Sequence, residues 1–408
     1  MGRRSDSSTE GAHTLVRMPH GLSHEPSPEV NARRILCVSF SPIHADSRVL
    51  RQLEVLSEHG EVTTVGYGAA PENSSHHIQI PDGATSLPET PLGVVRLALR
   101  MHSSVELASP GEKAVLSDVL ASGSYDLVVA NDARAFPLAF AAAKGAPVYA
   151  DMHEWAPEER ATVLVWRLLV GPYMQHLCEK YLPKTAAVTS VSAGLAALYS
   201  EQFGIATEVV RNAADLRDLE PTPVDGDRIK LVHSGTADAE RNIVELIDAV
   251  GILGERFTLD LYLLGEPGGY IETVKKHADG VKQVTVHDPV PPATLPSVLN
   301  QYDLGVFLYP LKTLSHQFHL PNKFFDFVQA RLGLVFSSAP EINDYVGRYD
   351  LGIITQDTTA QGLVEALRDI TAADVTRFKK AAHAGAIALS SKPDKDIQHA
   401  LVARLLSA

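Results

Sequence analysis

The sequence predicts an α/β protein made of two open parallel-sheet domains that face each other across a cleft. Three observations carry this reading. Short apolar runs alternate with amphipathic helical patterns from Arg34 onward, several runs are apolar on both faces, and the alternation breaks once at a polar, proline-bearing stretch and then restarts. A chain of 408 residues also exceeds one ordinary core. At roughly 100–200 residues per domain it is expected to hold two or three, with two the simplest division.

The elements follow in order. Residues 1–32 carry Arg3 and Arg4 but no apolar core, so a disordered tail is expected there and not a secretory signal. "RILCVSF", "DSRVLRQLEVLSEHG" and "EVTTVGY" then read as strand, helix and strand. In that helix Val49, Leu50, Leu53 and Leu56 share one face, Asp46 or Ser47 caps the start, and Gly60 closes the end. "HHIQI", "DLVVA", "PVYAD", "AAVTSV" and "TEVVRN" continue as strands, with helical "ARAFPLAFAAAKG" and "AGLAALYSEQFG" between them, which completes an N-terminal domain over 33–215. "AADLRDLEPTPVDGDR" is the linker. A second domain over 228–385 runs through "IKLVHS", a helix from Arg241, "TLDLYLL", a helix near Tyr270, "QVTV", a helix from Ala293, "DLGVFLY", "PNKFFDFVQARLG", "LVFSS" and "GIIT". Helices close the chain, the last within 386–408.

Composition excludes several classes. A net charge of -13 argues against a general nucleic-acid binder, whose affinity rests on clustered lysine and arginine. No apolar run approaches the roughly 18 residues of a membrane-spanning helix. Cys37 and Cys178 have no metal-binding spacing and read as buried free thiols, which fits a cytoplasmic location. His153-Glu154 is not followed by a histidine three residues on, so no zinc motif is present and no metal is expected. A nicotinamide dehydrogenase is excluded because no glycine-rich turn joins the first strand to its helix.

In open parallel sheets ligands sit beyond the carboxyl ends of the strands, so residues just past strands are the site candidates. "YADMHEWAPEE" places Asp151, His153 and Glu154 there, and the end of "DLVVA" adds Asn131 and Asp132. His44 and Asp46 lie in the loop after the first strand, at a helix N-terminus that attracts anions. In "HSGTADAERNIVELIDAV", Gly235 lets a ligand approach the backbone, Thr236 follows it, and Arg241 opposes the macrodipole of the next helix unless an anion is present. His287 ends "QVTV". "HLPNKFFDF" sets Pro321 in a first helical turn and buries Phe324, Phe325 and Val328. Asn322, Lys323, Asp326 and Gln329 then share the other face, where Lys323 and Asp326 either pair with each other or meet a phosphate and two vicinal hydroxyls.

With these stretches in order, the chain resembles the retaining glycosyltransferases of family 4, in a subgroup with an "LPNK" donor-site motif. The resemblance implies the GT-B architecture: two Rossmann-like domains around a cleft, with a C-terminal helix crossing back to the first. It implies a nucleotide-sugar donor on the C-terminal domain, UDP-linked before GDP- or dTDP-linked, and a small-molecule, glycan or lipid-linked acceptor on the N-terminal one. Transfer of a hexosyl or N-acetylhexosaminyl group would retain configuration without metal or cofactor. By the same resemblance His153 touches the donor sugar and phosphate, Arg241 clamps the diphosphate, and Asp326 holds the ribose.

Three positions depart from the family pattern. Thr236 stands where an arginine is expected, Phe318 where the first of two acids would fall, and Asp326 is an aspartate in place of glutamate. Lys323, with the amides near Asn322, is the expected substitute for the missing arginine. A nucleotide-sugar epimerase and a non-catalytic nucleotide-sugar or glycan-binding partner of another transferase are the alternatives. "VVRLALRMHSSV" and "RATVLVWRLLVGPYMQHLCEKYLPK" mix apolar residues with cations as a peripheral membrane face would, and helices packed on the sheet would look the same.

Overall fold

The computed structural model describes residues 32–407. Apart from Ala32, the expected N-terminal tail lies outside the described residues. Seven parallel strands, β1 (Arg34–Pro42), β2 (Glu61–Tyr67), β3 (His76–Ile80), β4 (Leu127–Asn131), β5 (Val148–Met152), β6 (Ala187–Ser190) and β7 (Glu208–Val209), pair in the order β3-β2-β1-β4-β5-β6-β7. Six more, β8 (Ile229–Thr236), β9 (Phe257–Leu264), β10 (Val284–His287), β11 (Leu304–Phe307), β12 (Gly333–Ser337) and β13 (Gly352–Thr355), pair as β10-β9-β8-β11-β12-β13. Strand order reverses beside β1 and β4 in the first sheet and beside β8 and β11 in the second. Crevices open at such switch points.

Local chemistry explains the elements. β4, β5, β11 and β12 are buried at every position, as strands covered on both faces must be. Asp46 caps the Ser47–Ser57 helix by accepting from the Arg48 and Val49 amides, a contact worth about 1 kcal/mol. The stretch 210–225 carries no regular structure. The last helix, Ser391–Leu405, returns to the first sheet: Leu401, Val402 and Leu405 join the cluster of Ile35, Val49, Leu53 and Leu56, and Arg211 pairs with Asp394 at 2.8 Å.

The segment before the Asn322–Gln329 helix bridges the two halves. Leu314 and Phe318 pack against the core of the first sheet, and Ser315 Oγ accepts from the Trp155 amide at 3.0 Å. Phe318 lies on Gly194, at the start of the Ala193–Phe203 helix, so tightly that a Cβ on Gly194 would overlap its ring. Phe318 is therefore an interdomain packing residue.

This contact can be tested against a glycine in open space. Gly194→Ala forces the ring out and is expected to cost about 1–3 kcal/mol in urea unfolding. Gly347→Ala, inside the Pro340–Tyr349 helix with nothing near its Cβ position, is expected to gain about 0.5–1 kcal/mol.

Candidate functional site

β8 ends in the centre of the cleft. Gly235 has φ +144, which favours glycine, and the space a Cβ would take faces Lys323 Cε at 3.6 Å. Beside it Ser234 is 3% exposed, and its hydroxyl has no hydrogen-bond partner. A buried polar group left unpaired costs about 1–3 kcal/mol, which a ligand's hydrogen bond would offset.

Ser234 and Gly235 line two adjoining lobes. The larger, of about 750 Å³, is bounded by Tyr262, Asn322, Lys323 and Asp326 from the second half and by Ser47 and Arg51 from the first. The smaller, of about 430 Å³, is bounded by Glu154, His233, Arg241, Phe307 and His319, with Thr236 and Pro321 at its edge.

Charge in the lobes is set by packing. Arg241 belongs to the turn Ala239–Arg241, ahead of the Ile243–Leu253 helix that was expected to begin with it. Its guanidinium lies over Phe307 and Tyr309, 5.4 and 5.0 Å from the ring centres, and makes no ion pair among the described residues. Lys323 pairs with Asp326 at 2.8 Å, so the cation and the carboxylate share one face of the Asn322–Gln329 helix. Pro321 is the N-cap of that helix, one position earlier than expected, and offers its amides no side-chain cap. Burial, followed by nearby cations, lowers His233 and His319 to about 4, so both are neutral near pH 7. His233 Nδ1–H donates to the Val306 carbonyl at 2.9 Å, which leaves Nε2 as an acceptor.

The N-terminal side is a buried network. Arg48 Nε donates to Asp151 at 3.0 Å, and Gln52 and Thr189 donate to the same carboxylate. Burial alone would raise Asp151, but Arg48 and His153 hold it well below the usual range. His153 has both ring nitrogens engaged, Nδ1 3.3 Å from Asp132 and Nε2 3.2 Å from Asn131 and 3.4 Å from Asp151. Burial opposes its charged form, yet Asp132 and Asp151 outweigh that and raise its pKa. The Glu154 pKa also rises, here in favour of the neutral form: burial, then Asp132 and Glu159, push it up to about 7.

Several expected residues are therefore elsewhere. Asp151 and Asn131 are buried beneath the cleft. Asp46 is occupied as a helix cap, and His44 lies on Gly68. Asp132 and His153 line neither lobe; Asp132 braces His153 by accepting its amide at 2.8 Å. His287 lines neither lobe; it pairs with Asp260 and stacks behind Tyr262, which does line one. Gln329 is buried, bonding the Ala386 carbonyl at 2.8 Å, though it reaches the edge of the larger lobe. Residues that were not expected include Ser234, His233, Tyr262, Arg51 and His319. Ser234 and His233 had a usable signal, since they precede Gly235 at a strand's carboxyl end.

Two Rossmann-like parallel sheets facing a cleft, with a helix returning from the second to the first, define the GT-B fold. Solved structures with this fold superpose over nearly the whole chain. Sucrose-phosphate synthase from Thermosynechococcus elongatus gives a TM-score of 0.66 at 15% identity, covering 92% of this chain and 99% of that one. The α,α-trehalose-phosphate synthase (UDP-forming) from Burkholderia vietnamiensis gives 0.62 at 12%, covering 92% and 100%. Anabaena HepE, solved in complex with UDP and glucose, gives 0.62 at 14%, covering 92% and 99%. No family model matches the chain, and no curated protein matches it.

Glu154 yields a pH prediction. Between its ordinary value of 4.5 and about 7 the folded state holds a proton that the unfolded chain has released, so stability falls as pH rises through this window. Wild type should lose ground to Glu154→Gln across that range in urea midpoints, and the difference should level off above it. A constant difference would mean an ordinary carboxyl.

Proposed function

We propose that the protein is a glycosyltransferase that moves a hexosyl or N-acetylhexosaminyl group from a nucleotide-diphosphate sugar to an acceptor hydroxyl, with retention and without a metal ion. The observation that carries the reading is the unpartnered Ser234 hydroxyl beside Gly235, between two lobes that hold an unpaired arginine and a lysine. The larger lobe takes the nucleotide, with Tyr262 beside the base and Asp326 accepting from the ribose hydroxyls. Lys323, the free amides around Asn322 and the Gly235 backbone take the diphosphate. The smaller lobe takes the sugar, with Arg241 over the leaving phosphate. A UDP-sugar is the favoured donor, in keeping with the HepE structure that holds UDP and glucose.

In the proposed step the acceptor oxygen attacks the anomeric carbon from the face that the diphosphate leaves. The bond from that carbon to the phosphate oxygen breaks, and the acceptor proton passes to the departing phosphate. Arg241 and Lys323 stabilise the charge that develops there. Glu154 is the one carboxyl group of the smaller lobe among its described residues, and we assign it no covalent role. His153 serves as the N-terminal hydrogen-bond donor by exchanging Asp132 for a substrate hydroxyl at Nδ1. One observation favours a second reading, a non-catalytic nucleotide-sugar-binding protein: Phe318 fills an interdomain contact where the family pattern has an acid for the sugar.

A thermal-shift screen against UDP-, GDP-, dTDP- and ADP-sugars tests the donor site. Ligand at about 100 times its dissociation constant adds about 2.7 kcal/mol. No shift with any of them would overturn the reading. Arg241→Ala and Lys323→Ala should each lower donor turnover about 100–1,000-fold. Binding without hydrolysis or transfer, whatever acceptor is supplied, would select the non-catalytic reading, and a trapped glycosyl-enzyme adduct would replace the single-step mechanism.

A further inference from the structure

The helix Pro91–Ala98 buries only Gly93 and Leu97, leaving Leu92, Val95 and, just beyond its end, Leu99 exposed, the last at 65%. It packs beside the π-helical turn Trp166–Val170, which exposes Leu168 and is preceded by exposed Val163, Leu164 and Val165 (64%). Monomeric surfaces rarely gather so many large apolar side chains in one place.

The charge around them is as unusual. Neither 90–105 nor 160–178 contains an aspartate or glutamate, although the chain carries 49 acidic residues and a net charge of -13. The two stretches hold Arg96, Arg100, Arg160 and Arg167. Arg160 lies 5.6 Å over the Trp166 ring, and none of the four makes an ion pair among the described residues. Acids bound the two stretches: Glu106 is occupied inside the fold by His176, Lys180 and Tyr181, Glu159 pairs with Arg134, Glu179 accepts from Gln175, and Glu89 and Glu158 lie at the stretch ends. The two segments follow β3 and β5, leaving the sheet at the strands' carboxyl ends, the side on which the cleft opens. The loop into the second carries Glu154 of the smaller lobe.

We propose that this surface seats the N-terminal sheet on an anionic membrane surface. The apolar side chains enter the boundary between headgroups and acyl chains, and the arginines pair with lipid phosphates. The local positive charge on an acidic protein selects this occupant. A second copy would bring the same arginines face to face in a two-fold interface. No described helix is long and apolar enough to cross a membrane, so the contact is peripheral. The inference stands on the surface alone and holds whichever donor the cleft takes.

Vesicle flotation with the full chain tests it, using phosphatidylcholine alone and phosphatidylcholine with phosphatidylglycerol at about 2:1. Binding is expected only to the anionic vesicles and should fall as salt rises. Arg100→Gln and Arg167→Gln should each weaken it about fivefold, and the pair Leu99→Asp with Leu168→Asp should abolish it. The donor-induced thermal shift of these variants should match wild type, which separates loss of docking from loss of fold or nucleotide binding. Failure to float with either vesicle, or equal flotation with both, overturns the proposal. So does a dimer in solution that Leu168→Asp dissociates.

Discussion

The N-terminal half of the cleft rests on one buried ion pair. Arg48 and Asp151 are 5% and 0% exposed, and between them they tie the Ser47–Ser57 helix to β5, to β6 through Thr189, and to the chain leaving β7 through the Val210 carbonyl. Taking two charges out of water is expensive, and the pair persists because every lone pair that faces inward has a donor: Arg48, Gln52, Thr189 and His153 all reach the same carboxylate. Removing one partner would leave the other charged and unpaired, at a cost of about 3–5 kcal/mol. The same pair explains the electrostatics above it. With Asp151 held ionised, His153 is drawn toward its charged form, and the loop that follows is fixed with Glu154 toward the smaller lobe.

Across the cleft the charge is arranged on a different principle. Arg241 is supported by the faces of Phe307 and Tyr309, which attract a cation without neutralising it. His233 and His319 are kept neutral by burial, so they add polarity without competing for an anion. An acidic protein thereby presents a locally positive cleft wall. Lys323 is the exception, since Asp326 already shares its charge at 2.8 Å. A diphosphate beside Lys323 and hydroxyls beside Asp326 would each engage one member of a pair that already exists.

Most of the fold was legible because its strands and many of its helices are announced locally, although the Pro110–Ala121 helix, with its Ser109 and Glu112 capping box, was not among the expected elements. Runs apolar on both faces mark central strands, and the linker's prolines and charges stand out against them. The site was legible only in part, and the failures share a cause. Strand ends were read as cleft-facing, but side chains alternate across a strand, and Asp151 points inward while Glu154, three residues later in a loop, turns out. His287 sits at a strand end too, yet its ring is consumed by Asp260 and Tyr262. Pairing partners that are distant in sequence decide such cases, and no local pattern shows them.

Phe318 is the clearest instance, and it links the domain interface to the Asn322–Gln329 helix. As a sequence position it read as a lost sugar contact. In the fold its ring crosses to Gly194, with Ser315 bonded to Trp155 and Glu341 to the Gly194 amide nearby. The Phe318 and Ser315 contacts come from the segment that leads directly into His319, Pro321 and the uncapped helix of Lys323 and Asp326, and the Glu341 contact comes from the Pro340–Tyr349 helix. A smaller or charged side chain at 318 would leave the Gly194 face uncovered and loosen that turn, so the position is constrained by packing before any substrate is considered. Separation of the two halves at this seam would displace His319 from the smaller lobe and shift the helix start against Gly235. The geometry of the cleft and the closure of the domains are therefore held by the same few residues.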